Sequence, residues 1–384
     1  MRGHRRRGNH RRPATVVITG AAMLASLAGA CLATSRATEP VTGNGPLPPP
    51  PAVAPAPDAA GPPRSFTVVA TGAIDGGLDP MPALERVRPL INDADLAICH
   101  IDRPLAPAPA AVPAALARLG YDTCSTAASR AVDGGRDGVA RTLRRLDAAG
   151  LRHAGTARDA AEAATPTVIG VKGVRVAHLS YAAGLPTAPP LRTAPWLVNR
   201  IDPGKILAAA RLARRAGARV VIVSLHWGAR NRRAATPEQI ALAQRLLAAK
   251  EIDLIVGHGA GVVQPFGKAL NGKLVAYGLG RLLAAPREAG IITRFTFTRG
   301  TRGWRVTRAE FVPTYVDPGP PQRVVDVTGA LADEQLDPAR RAALSKVLRQ
   351  TRRTVTSRGA APVLASARSA PIPGVLRTHG SPGN

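Results

Sequence analysis

Apolar residues recur along this chain with two alternating periods, one of short continuous runs and one of helical stripes. Val220–Leu225 and Ile252–Val256 are short β-branched runs that stop abruptly at His or Gly, as buried parallel strands do where they leave a sheet. Between them Thr236-Pro237-Glu238 opens a helix: Thr caps it, Pro suits the first turn, and Glu favours its positive end. Ile240, Ala243, Leu246 and Leu247 then mark one face of that helix. The resulting strand–helix–strand unit leaves His226 and His258 at the ends of its two strands, where open α/β sheets place ligands.

The same alternation extends outwards. Phe66–Ala70, Asp95–Asp102 and Gly120–Ala127 read as strands, separated by helices over Met81–Asn92 and Ala114–Leu119. A helix over Gly138–Ala149 follows, then a hairpin of Val168–Val171 and Val174–Tyr181 around Lys172-Gly173, then a helix over Gly204–Ala216. Ile291–Arg299 and Trp304–Val312 alternate as strands, expected to close the second sheet. Asp337-Pro338 opens a last helix, with Leu344, Val347 and Leu348 on one face. Strands alternating with helices and ending in late antiparallel strands make an α/β protein.

Composition changes the picture at both ends. Arg2, Arg5, Arg6, Arg7, Arg11 and Arg12 precede an apolar stretch, Ala14–Ala30, that ends at Cys31. Residues 1–31 therefore read as an export signal, with lipidation at Cys31, cleavage nearby or an uncleaved anchor all open. Each version puts the body of the protein outside the cytoplasm, either on a membrane lipid anchor or secreted. Residues 32–64 form a Pro/Ala-rich linker, 65–313 the main domain, 314–353 an extension with a helix, and 354–384 a disordered basic tail.

The formal net charge is +27, which points to anionic partners. Nucleic acid is disfavoured, because the arginines are scattered through Ala-rich helices and aromatics for base stacking are only 3%. Cys99 and Cys124 lie near the ends of consecutive strands, so either a disulfide or two buried free thiols is open.

Three motifs define the centre of the chain: His226-Trp227-Gly228, Gly257-His258-Gly259-Ala260-Gly261-Val262-Val263-Gln264-Pro265, and Tyr277-Gly278-Leu279-Gly280. With Leu151–Arg158 they resemble the CapA family of capsule and poly-γ-glutamate synthesis proteins, over about Phe66 to Val312. The resemblance implies a metallophosphoesterase-like fold, a four-layer α/β/β/α sandwich of two mixed sheets. It also implies a two-metal site, and at its positions this chain departs from the pattern. Ala73 stands for the first-strand Asp, Ala128-Ser129-Arg130 for Asn-Asn-His, Gly259 and Gly261 for a pair of histidines, Arg230 for Glu, and Arg281 for Asn. Asp102 stands for Glu and keeps the charge; His226 is retained, and His258 and His100 remain nearby.

A two-metal phosphoesterase needs carboxylate, amide and imidazole ligands around cations about 3.5–4 Å apart. Gly and Ala offer no ligating side chain, and Arg is permanently charged. The expectation is thus an exported pseudoenzyme with no cofactor, whose Arg130, Arg230 and Arg281 bind an anionic polymer such as polyglutamate or cell-wall glycan. The alternative is a hydrolase with a reduced site, Asp102 and His226 as catalytic groups and Asp102, His226 and His258 as ligands for a divalent metal. In a third reading the arginine excess binds envelope polymer or anionic lipid, and the cleft is vestigial.

Overall fold

A computed structural model of the chain describes residues 64–75, 80–105, 111–185, 189–319, 321–360 and 362–365. The export signal with Cys31, the linker to Pro63 and the last nineteen positions lie outside the described residues. No described helix is long and apolar enough to cross a membrane.

Two mixed sheets, of nine and six strands, carry the fold. In the first, Ser65–Ile74 pairs in parallel with Leu96–Ile101, which pairs with Thr123–Ser125, which pairs with Arg152–Ala154. In the second, Val174–Ala182, Val220–His226, Leu254–His258 and Leu274–Ala276 run parallel, and Thr167–Val171 closes one edge as a hairpin partner. That hairpin turns at Lys172 and Gly173, both with positive φ, as expected from the sequence.

Strand parity sorts the side chains into layers. Leu96 and Ile98 of the first sheet meet Val220, Ile222, Leu254 and Val256 of the second in one apolar cluster between the sheets. The opposite parity, Ala97, Cys99 and Ile101, packs under Leu84, Ile91, Leu116 and Leu143 of the outer helices. On the far side Val221, Val223 and Ile255 pack under Ile206, Ala210, Leu246 and Leu247. The order helix, sheet, sheet, helix is the four-layer sandwich expected from the sequence.

The helix starts follow from their caps. Thr236 and Gln239 form a reciprocal capping box before Pro237–Ala248, and Asp202 and Asp337 accept from Lys205 N and Arg340 N at the starts of Pro203–Arg215 and Pro338–Val355. The single helix expected over Met81–Asn92 is instead two short helices around a 3₁₀ turn at Glu85–Val87, with Pro89 in the first turn of the second. Proline lacks the N–H that a continuous helix would need there.

The late strands join the first sheet, not the second. Ala289–Gly300 lies antiparallel to Ser65–Ile74, and Gly303–Asp317 pairs with it in turn. Arg281–Leu283 has already crossed to run beside Ala73 and Ile74, so the chain re-enters at the first strand. Phe295 and Phe297 then fill the space beside Phe66, with the Phe66 and Phe297 rings stacked 5.2 Å apart. Alternation specifies a strand but not its partner.

The C-terminal boundaries also shift. Gly303–Asp317 runs through the expected boundary at 313, and Val363–Leu364 adds a parallel strand beside Glu310 and Phe311 where a tail from Thr354 was expected. Buried Val355 and Ala360 supply the apolar anchors for that addition.

Candidate functional site

The inner face of each parallel strand begins apolar and ends polar. Leu96 and Ile98 are followed at the same parity by His100; Val220 and Ile222 by Ser224 and His226; Leu254 and Val256 by His258; Val174 and Val176 by His178 and Ser180. Thr123 and Ser125 of the short third strand continue the pattern, being hydrogen-bonded to these groups. The space between the sheets therefore turns from a dry core into a buried polar layer where the strands end.

Hydrogen bonds across that layer join the two sheets. His100 Nδ1 lies 3.0 Å from Ser125 Oγ, Ser125 Oγ lies 2.7 Å from Ser180 Oγ, and His178 bridges Thr123 at 3.0 Å and Ser224 at 2.9 Å. His100 Nε2 and His226 Nδ1 are 3.0 Å apart. His226 and His258 are register partners, and His258 stacks on His100 with ring centres 4.0 Å apart. Both ring nitrogens of His258 are buried without a hydrogen-bond partner.

Asp102, one residue beyond its strand, reaches into the same place. Its Oδ1 is 3.1 Å from His100 Nε2 and 3.8 Å from His226 Nδ1. The first contact is off-axis and the second is too long, so this buried oxygen has no hydrogen bond. Burial raises the Asp102 carboxyl, but His100, His226 and Arg281 outweigh it and hold it at about 2. Burial above all, with the neighbouring imidazoles and, for His226, Arg281, lowers His226 to about 4, lowers His178 to about 3, and takes His258 well below its ordinary value. Near neutral pH the site is one carboxylate among neutral imidazoles at these three positions.

Above this floor opens a cleft of about 330 Å3. Arg103, Arg130, Arg230 and Arg281 line it, with Asp75, Asp102 and His226. Asp102 and His226, at the ends of strands from the two sheets, both line this cleft, and so do the three arginines expected to bind anions, Arg130, Arg230 and Arg281. Arg130 Nε donates to Asp133 at 2.7 Å, Arg281 Nε lies 3.6 Å from Glu288, and Arg103 donates to Asp75 at 3.1 Å. Arg230 is exposed and has no ion pair among the described residues. Ser129 and Gly259 line the cleft as well, and neither brings a carboxylate or imidazole to it.

His258, a candidate ligand by sequence, is not in the group whose donor atoms converge; that group is His100, Asp102 and His226. Its three donor atoms lie within 4.8 Å of one another. Motif comparison gives His100 and Arg103 no role. Parity could have found His100, since it shares its face with Leu96 and Ile98.

The family described as bacterial capsule synthesis protein PGA_cap matches residues 15–285. The chain belongs to this family. Among curated relatives, a probable polyglutamine synthesis accessory protein of Mycobacterium tuberculosis is 31% identical over 176 residues, 43% of this chain and 46% of the relative. The capsule biosynthesis protein CapA of Bacillus anthracis is 26% identical over 179 residues, 44% of this chain and 41% of the relative. The match spans less than half the length of either relative. Among solved structures, an NAD nucleotidase of Haemophilus influenzae aligns with TM-score 0.45 at 11% identity, over 76% of this chain and 63% of that one. A calcineurin-like phosphoesterase of Bacillus subtilis aligns with TM-score 0.44 at 12% identity, over 75% of this chain and 97% of that one.

Proposed function

We propose that this chain is an extracytoplasmic capsule synthesis protein whose cleft binds a carboxylate-rich polymer such as polyglutamate, and that it is a pseudoenzyme with respect to two-metal phosphoester hydrolysis. The observation that carries this reading is the set of four arginines around one cleft of about 330 Å3, with Asp75 and Asp102 the only acids among the described residues that line it. Guanidinium groups grip carboxylates with paired hydrogen bonds. The Arg130–Asp133 pair is exposed on both sides, and such pairs contribute about 0–1 kcal/mol, so a polymer carboxylate can replace Asp133 at little cost. Arg230 needs no such exchange.

Residue chemistry speaks against two-metal hydrolysis. Ala73, Ala128, Gly259 and Gly261 hold no ligand atom in their side chains, and Arg281 places a permanent cation where a ligand would stand. Three donor groups remain in the cleft floor, enough for one ion and too few to bridge two. A second reading, a hydrolase with a one-metal site in which Asp102 and His226 act, is favoured by those converging donors alone.

Titration of the purified full chain with a γ-linked glutamate oligomer tests the proposal. The wild type binds in low salt, and binding weakens as salt rises. The Arg230→Ala/Arg281→Ala variant binds at least about tenfold more weakly, the loss of one charge-assisted contact or more. Unchanged binding in that variant removes the cleft reading. Phosphodiester or amide turnover that disappears in Asp102→Asn favours the hydrolase instead.

A further inference from the structure

We propose that the cleft floor is a site for one borderline transition-metal ion, held by His100 Nε2, His226 Nδ1 and Asp102 Oδ1, with Ser125 and Ser180 positioning His100. Two of these residues occupy family positions; His100 does not, and it turns an apparently ligand-poor site into a three-donor one. The proposal does not depend on whether the cleft takes a polymer.

Distances make the first argument. The three donor atoms are separated by 3.0, 3.1 and 3.8 Å. Ligand atoms about 2.0–2.1 Å from a shared zinc-like ion stand about 3.3 Å apart. A triangle of this size accepts such an ion with little movement, and the ion would take the place of the His100–His226 hydrogen bond that now sets its shortest edge.

An orphaned oxygen points to the same ion. Asp102 Oδ1 is buried and accepts no hydrogen bond, although His100 Nε2 is 3.1 Å away. A buried carboxylate oxygen left in this way costs free energy, and a cation in the triangle removes the cost. The other wall of the site is also incomplete: His258, stacked on His100, has no partner at either nitrogen. Its stacking fixes the plane of the His100 ring.

The third argument is the proton on His100. Ser125 Oγ sits 3.0 Å from His100 Nδ1 and 2.7 Å from Ser180 Oγ. With Nδ1–H donating to Ser125, and the Ser125 hydroxyl donating to Ser180, Nε2 keeps its lone pair towards Asp102 and His226. Metal-binding histidines characteristically donate their other ring nitrogen to a fixed oxygen, which sets the tautomer. Without an ion, His226 Nδ1–H donates to His100 Nε2; with one, that proton moves to His226 Nε2. Two imidazoles and one carboxylate select zinc, cobalt or iron over magnesium and calcium, which prefer all-oxygen sites.

The test uses tag-free full chain, stripped with chelator and titrated with Co2+ and Zn2+. One equivalent of Zn2+ is expected, with a visible Co2+ spectrum from imidazole ligation that Zn2+ abolishes. His100→Ala and His226→Ala should each lose at least about tenfold in affinity, and Ser125→Ala about tenfold, the range for an outer hydrogen-bond partner. His153→Ala, whose imidazole pairs with Asp147 outside the cleft, is the control that keeps full affinity. Should His100→Ala fail to fold, Ser125→Ala and the histidine nitrogen shifts of the wild type decide, because Zn2+ must remove the proton shared between His100 Nε2 and His226 Nδ1 and so change the tautomer of the ring that carries it. Stoichiometry far below one, or affinity retained in His100→Ala and Ser125→Ala, overturns the proposal. Glutamate-oligomer binding in the stripped protein is scored separately, so failure of the metal site and failure of the polymer reading are distinct results.

Discussion

At the scale of single residues, what a position brings to the cleft depends on what its side chain can donate and on which way its strand points it. Ala73, Gly259 and Gly261 have nothing in their side chains to donate, and that is plain without any structure. His100 carries no such label, because its role depends on sharing a strand face with Leu96 and Ile98 and on meeting His226 from the other sheet. Cys99 and Cys124 make the same point. Sequence left a disulfide and two free thiols open; the structure pairs them as a disulfide between register partners with Cα atoms 4.5 Å apart. Thiol titration of denatured, unreduced protein purified from its host should find neither Cys99 nor Cys124 free, denaturation being needed because both are fully buried. Replacing both with Ala should cost about 3–3.5 kcal/mol by the loop-closure argument for a 25-residue separation. Two free thiols at these positions would remove the disulfide and weaken the case for an oxidising, extracytoplasmic compartment.

At the scale of elements, caps and apolar periodicity placed most helices and strands, because those signals are local. Pairing partners were not local, and the strands Ala289–Gly300 and Gly303–Asp317 joined the sheet opposite to the expected one. Nothing in Phe295 or Phe297 says which sheet they will cover until Arg281–Leu283 has been placed beside the first strand. One link between the sheets is testable directly. Asp95 accepts from Thr67 N at 2.8 Å and Thr67 Oγ1 at 3.0 Å in the first sheet, and pairs with Lys172 of the second-sheet hairpin at 2.9 Å. Burial would raise its carboxyl, but Lys172 and the Thr67 hydrogen bonds prevail and hold it below 3.8. A depressed folded-state value means the contribution is present above the unfolded value and is lost as pH falls through and below 3.8. Asp95→Asn should therefore lose about 1–3 kcal/mol in urea unfolding near neutral pH. Its stability should fall less steeply than the wild type's on acidification from pH 5 towards 3, and equal slopes would show that Asp95 contributes nothing to the link.

At the scale of the molecule, a net charge of +27 makes any polyanion bind somewhere, so location matters more than affinity. A second cationic groove makes the difficulty concrete. Arg211, Arg215, Arg219, Lys250 and Arg302 outnumber Glu251 and Asp253 in a groove that Trp304 also lines, at the end of the second sheet where Val220 begins, away from His226. The two cationic surfaces stand at opposite ends of one seven-residue strand, about 20 Å apart at the usual rise. Bulk electrostatics would favour whichever surface is more exposed, whereas recognition in the cleft requires the arginines that stand over the His100–Asp102–His226 floor. Hydrogen exchange of the full chain, with and without a γ-linked glutamate oligomer at moderate salt, separates them most directly. The account predicts slowed exchange in the loops around 127–133, 226–231 and 258–261; slowing confined to 211–219 and 300–304, or to the chain beyond residue 365, would contradict it.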